Sequence, residues 1–142
     1  MPKFNVLLAT FAVSASVAFA GAASAETMKM KATLDGKSEV PANTSAGTGT
    51  ADITYDTSAK KLSWKMTYSG LTGPATMAHF HGPAEPGKNA PVAVPITPAT
   101  SPSEGSATLT DAQAADLMAG KYYVNVHTEA NKGGEIRGQV TK

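Results

Sequence analysis

Tyr122-Tyr123-Val124-Asn125-Val126-His127 and, after a glycine-containing loop, Glu135-Ile136-Arg137-Gly138-Gln139-Val140 decide the fold class. In each run the character of the side chain changes every second position, the period of a β-strand, in which neighbours point to opposite faces. Tyr122, Val124 and Val126 share one face, and Ile136, Gly138 and Val140 share the matching face of the second run. The two segments read as an antiparallel hairpin with its apolar face in a core. The opposite face then carries Asn125 and His127 beside Glu135, Arg137 and Gln139, and is expected to present them outward as one polar patch.

The same period recurs towards the N-terminus. Met28, Met30, Ala32 and Leu34 alternate with Lys29, Lys31 and Thr33 before Asp35-Gly36 ends the run. Ala51, Ile53 and Tyr55 form a second set; a turn over Asp56 to Lys60 leads to Leu62, Trp64, Met66 and Tyr68, which reads as a hairpin with Trp64 central to the core. Met77 to His81 is a further strand. Val92 to Ile96 is an edge strand, because Pro91 and Pro95 have no amide hydrogen to donate to a ladder. Glu104 to Leu109 pairs again, and Thr110 opens the one helix, Asp111 to Ala119, with capping-box spacing to Gln113 and Gly120 placed to stop it. The expected fold class is all-β: one antiparallel β-sandwich or Greek-key barrel with a short crossover helix.

Ahead of these strands stand Met1-Pro2-Lys3, an apolar stretch from Phe4 to Ala20, and Ala23-Ser24-Ala25 before Glu26. A cationic start, a short apolar segment and a small-residue cleavage site make a secretory leader. The expected division is therefore a signal peptide over residues 1–25 and one β domain over 26–142, working in the periplasm or cell exterior. Cleavage removes Lys3 and no acid, so the 12 basic and 11 acidic side chains of the whole chain become equal in number. A neutral chain offers neither the basic surface that binds nucleic acid nor a polybasic hold on anionic lipid. No membrane association is expected once the leader is gone. With no cysteine, the core holds without disulfides and any metal must take His, Met or oxygen ligands.

The chain has three histidines, and two of them stand in Met77-Ala78-His79-Phe80-His81. Positions i and i+2 of a strand project from one face about 6–7 Å apart, so two imidazoles can converge on one ion. His127, on the non-core face of the C-terminal hairpin, closes the set if its strand lies alongside. Imidazole suits Cu(II) and Zn(II); Met77, on the same face as the pair, adds an optional thioether that favours Cu(I). Copper is the first expectation and zinc the second. Asn125, Glu135 and Arg137 are candidates to hydrogen-bond the ring nitrogens from outside. His-x-His is a short pattern, however, and Glu135 with Arg137 has the spacing of an ordinary solvated pair. No thiol nucleophile, G-x-S-x-G elbow or phosphate-binding glycine loop is present, which points away from an ordinary hydrolase.

Five ordered motifs carry a resemblance. Ala32-Thr33-Leu34-Asp35-Gly36 with Glu39-Val40-Pro41, Gly47-Thr48-Gly49, Ala78-His79-Phe80-His81-Gly82-Pro83-Ala84, Tyr123-Val124-Asn125-Val126-His127-Thr128 and Gly133-Gly134-Glu135-Ile136-Arg137-Gly138-Gln139 together resemble the CHRD (chordin) domain, from about Met28 to Val140. The resemblance implies a β-sandwich or barrel, found in exported bacterial proteins and in the animal developmental regulator chordin. It also places all three histidines inside family motifs. The His-x-His strand and the late glycine-rich segment are similar to copper/zinc superoxide dismutase, but the further histidines, aspartate and disulfide of that enzyme are missing. Three functions follow as expectations. The first is a copper-favouring three-histidine metal module, the second a non-catalytic structural or protein-interaction domain with an unknown protein partner and no metal, and the third a small superoxide-type metalloenzyme.

Overall fold

The computed structural model describes residues 24–142. Residues 1–23 of the expected leader lie outside the described residues. Eight antiparallel strands and one helix follow in order: β1 (Thr27–Asp35), β2 (Thr48–Asp56), β3 (Lys61–Ser69), β4 (Ala75–His81), β5 (Val92–Pro95), β6 (Ser103–Thr108), α1 (Asp111–Met118), β7 (Tyr123–Thr128) and β8 (Ile136–Gln139). They form a single sheet in the order β5-β4-β7-β8-β1-β2-β3-β6, curled until nearly closed. After β5 and β6, the chain returns through α1 to lay β7 beside β4, the Greek-key connection.

Alternation explains the interior. Met30, Ala32 and Leu34 of β1, Ala51, Ile53 and Tyr55 of β2, and Leu62, Trp64 and Met66 of β3 are buried, while the residues between them face solvent or the rim. Phe80, Val124, Val126 and Ile136 complete the core from the other half of the sheet. Trp64 meets Phe80 edge-on, with ring centroids 5.4 Å apart, and so ties β3 to β4 across the interior. Its register partner on β6 is Gly105, where a Cβ would lie 2.5 Å from the indole. The edge strand therefore carries glycine where the core's largest ring passes. At the other edge β5 pairs only with β4, in keeping with its prolines.

The helix begins as the sequence requires. Thr110 Oγ1 accepts from the Gln113 amide at 3.2 Å, and Gln113 Oε1 accepts from the Thr110 amide at 3.0 Å. Gln113 Nε2 also donates to the Ala93 carbonyl of β5, so the cap anchors the helix to a sheet edge. Gly120 just beyond the C-terminus takes φ +75, which only glycine adopts at little cost.

One expectation is overturned. All six residues of β7 are buried, so the second face of the C-terminal hairpin is covered rather than solvated. Asn125 and Arg137 do stand opposite each other, but they are 2 % exposed and Glu135 is 0 % exposed. Two connections lie over this face. The Gly82–Pro91 segment is pinned by Arg137, which donates to Asn89 Oδ1 at 2.9 Å and to the Lys88 carbonyl. On the other side, Asn43 donates to the Glu135 carbonyl and Ser45 to its carboxylate. Glu135 and Arg137 are thus separate internal anchors, not a solvated pair.

Candidate metal centre

Strands β4 and β7 are antiparallel neighbours in the register Met77↔His127, His79↔Asn125 and His81↔Tyr123. Residues opposite each other across such a pair share a face. Met77, His79, His81, Tyr123, Asn125 and His127 therefore all project from the non-core side, and His127 lies diagonally across from His79. One ring nitrogen from each histidine can be chosen so that all three lie within 4.8 Å of one another. Segments 48 residues apart in the chain supply the tightest contact, His79 Nδ1 to His127 Nε2 at 3.1 Å.

Hydrogen bonding fixes the roles of these nitrogens. His127 Nδ1 lies 2.8 Å from the Lys132 carbonyl, which can only accept, so Nδ1 carries the hydrogen and Nε2 turns its lone pair towards His79. His79 Nδ1–H donates to that lone pair. Moving the hydrogen to the other nitrogen of His79 would present two lone pairs 3.1 Å apart. Turned slightly off the line between them, both could reach one ion at metal–nitrogen bonds of about 2.0–2.1 Å. Burial, followed by the neighbouring His127 and His81, holds His79 down to about 4, so its ring is neutral and able to ligate at physiological pH.

His81 is held differently. Its ring stacks on Tyr123 with centroids 4.8 Å apart, and the Arg137 guanidinium lies 3.4 Å from the centre of the same tyrosine ring. Nδ1 is 2.9 Å from the Ala90 carbonyl and Nε2 is 2.9 Å from the Asn125 side-chain oxygen. Burial lowers the His81 pKa more than these two contacts raise it.

Of the outer candidates, Asn125 reaches a histidine. Glu135 does not: Ser45 Oγ and the Thr72 amide donate to Oε1, while the Thr72 and Thr128 hydroxyls donate to Oε2, all within 2.8 Å. Burial pushes this carboxyl upward, but those donors together outweigh it and hold it at about 2. Arg137 acts on the covering segment and on Tyr123 rather than on an imidazole nitrogen. Met77 stands in register opposite His127 and is 48 % exposed.

Glu39, Gly134 and Tyr123 were not singled out as site residues by spacing. Glu39 is buried behind Asn125, with Oε1 lacking a hydrogen-bond partner, and burial raises its pKa. Gly134, at φ +126, lets that carboxyl come close: a Cβ there would sit 2.2 Å from Glu39 Oε1 and 2.7 Å from Asn125 Nδ2. Tyr123 alone carried a readable signal, because it shares parity with Asn125 and His127.

The family model of the CHRD domain matches residues 30–140. No curated protein and no solved structure matches the chain. Among the described residues, no helix is long and apolar enough to cross a membrane.

Proposed function

We propose, from the premise that this chain belongs to the CHRD domain family, that it is an exported metal-binding module that buffers or carries copper. The observation that carries this reading is the approach of His79 Nδ1 and His127 Nε2 to 3.1 Å, with the far nitrogen of His127 tied to a backbone carbonyl. Metal-binding histidines characteristically donate their other N–H in this way, which fixes ring and tautomer. His81 is the third nitrogen of the cluster. Met77, on the same face, favours Cu(I), and the absence of cysteine leaves no thiolate to compete; zinc is the second choice. The leader motif at residues 1–25 supports export to the periplasm or beyond, where the mature protein would begin at Glu26.

Titrating the leader-processed protein with Cu(I), Cu(II) and Zn(II) against competing chelators tests this. One equivalent of copper is expected to bind more tightly than zinc. Affinity in a His79→Ala, His127→Ala double variant is expected to fall at least about a hundredfold, on the scale of losing two ligands. Unchanged copper affinity in that variant removes the proposal.

One observation favours a second reading, a structural or protein-interaction domain without metal. The histidines already satisfy one another and the backbone, so they can brace the covering segments unaided. That reading requires no thermal shift with any of the three ions.

A further inference from the structure

The three histidines are not equivalent, and the difference lies in Asn125. His127 and His79 each turn a nitrogen towards the other, whereas both nitrogens of His81 are taken. The Ala90 carbonyl claims the Nδ1 hydrogen, leaving Nε2 against the Asn125 amide. The Asn125 oxygen lies 2.9 Å from Nε2 while its NH2 faces Glu39, so Nε2 is occupied by a partner that is itself held in place. Asn125 is 2 % exposed and cannot readily exchange this partner for bulk water. Its side chain is wedged by Glu39 at the place where Gly134 has no Cβ. Distance agrees with this division. The only ring nitrogens that face each other directly are His79 Nδ1 and His127 Nε2, at 3.1 Å.

Resting on the copper reading above, we infer that Asn125 is a positioning residue that withholds His81 from the coordination sphere. The ion is first held by His79 and His127, and His81 joins only when the Asn125 amide releases Nε2. A site with two nitrogens and a nearby thioether suits Cu(I), which accepts low coordination numbers. Recruiting the third imidazole moves the site towards the nitrogen-rich, higher-coordinate preference of Cu(II). Asn125 thereby biases the centre towards the reduced ion.

Pulsed electron paramagnetic resonance on the Cu(II)-loaded protein counts coordinated imidazoles. The native protein is expected to show two. Asn125→Leu, near in size but unable to hydrogen-bond, is expected to show three and to bind Cu(II) about tenfold more tightly, the scale of one added contact. Adding His81→Gln to Asn125→Leu is expected to restore the count to two. Three imidazoles in the native protein overturn the inference whatever the variants do, and so does an unchanged count in a folded Asn125→Leu or Asn125→Ala protein. Imidazole coupling with the wrong count refutes the role of Asn125 alone. No imidazole coupling in any sample removes the copper reading and this inference with it.

Discussion

Glu135→Gln isolates a charge that the fold has enclosed. The native carboxylate is closed to solvent and receives four hydrogen bonds, three of them from hydroxyls and one from the Thr72 amide. These bonds join the approach to β2, the segment after β3 and the end of β7, so the charge braces three parts of the barrel rim. Its pKa, lowered from 4.5 to about 2, corresponds to about 3 kcal/mol of stability at neutral pH. Because the group lies only a short way beneath the surface, solvent screening trims this to about 2 kcal/mol. Gln keeps the shape but loses the charge, so the variant should unfold about 2 kcal/mol more easily at pH 7. The folded pKa is depressed, so the native advantage is complete above the unfolded value of 4.5 and is lost as pH falls through about 2. Roughly a quarter should be gone by pH 4 and more than half by pH 3. Urea unfolding followed through the single tryptophan, Trp64, at pH 7, 4 and 3 measures both proteins. A gap below about 0.5 kcal/mol at pH 7, or one that stays constant down to pH 3, refutes the reasoning.

Three further outcomes are expected. Thr110→Ala removes the side-chain half of the capping box, leaving only the backbone amide of residue 110 to donate to Gln113, and should cost about 1 kcal/mol in urea unfolding; a change indistinguishable from zero would mean that the cap does not hold α1. Gly134→Ala places a Cβ 2.2 Å from Glu39 Oε1 at φ +126 and should cost more than about 2 kcal/mol, so a variant as stable as the native protein contradicts the packing described. His79, held at about 4 against an ordinary 6.5, contributes stability that is full above pH 6.5 and is lost as pH falls through about 4. The native protein should weaken across that window relative to His79→Gln, and parallel pH profiles would count against a buried neutral ring.

Much of the fold was legible because period-2 alternation leaves little choice of face once one side is buried. Met30, Ile53, Leu62, Trp64 and Val124 fell on the core side for that reason, and Thr110 with Gln113 marked the helix start through local chemistry. The pairing of β4 with β7 was not legible, since His79 and His127 are 48 positions apart with two strands and the helix between them. Neither was the burial of Asn125, Glu135 and Arg137. Alternation says which side chains share a face, but not that a connecting segment will fold over it. Here Gly82–Pro91 does so because Arg137 offers its donors to the loop carbonyl and amide that would otherwise need water. The polar side of the hairpin therefore reads as surface in the sequence and is interior in the fold. Glu39 was hidden in the same way, because its burial depends on the absence of a side chain at Gly134.

X-ray absorption at the copper edge, on the leader-processed protein loaded with one equivalent, tests the central claim most directly. Imidazole nitrogens at about 2.0 Å are expected around the ion, with their scattering diminished in His127→Ala. A spectrum without imidazole scattering, or one unaltered by that substitution, contradicts the account.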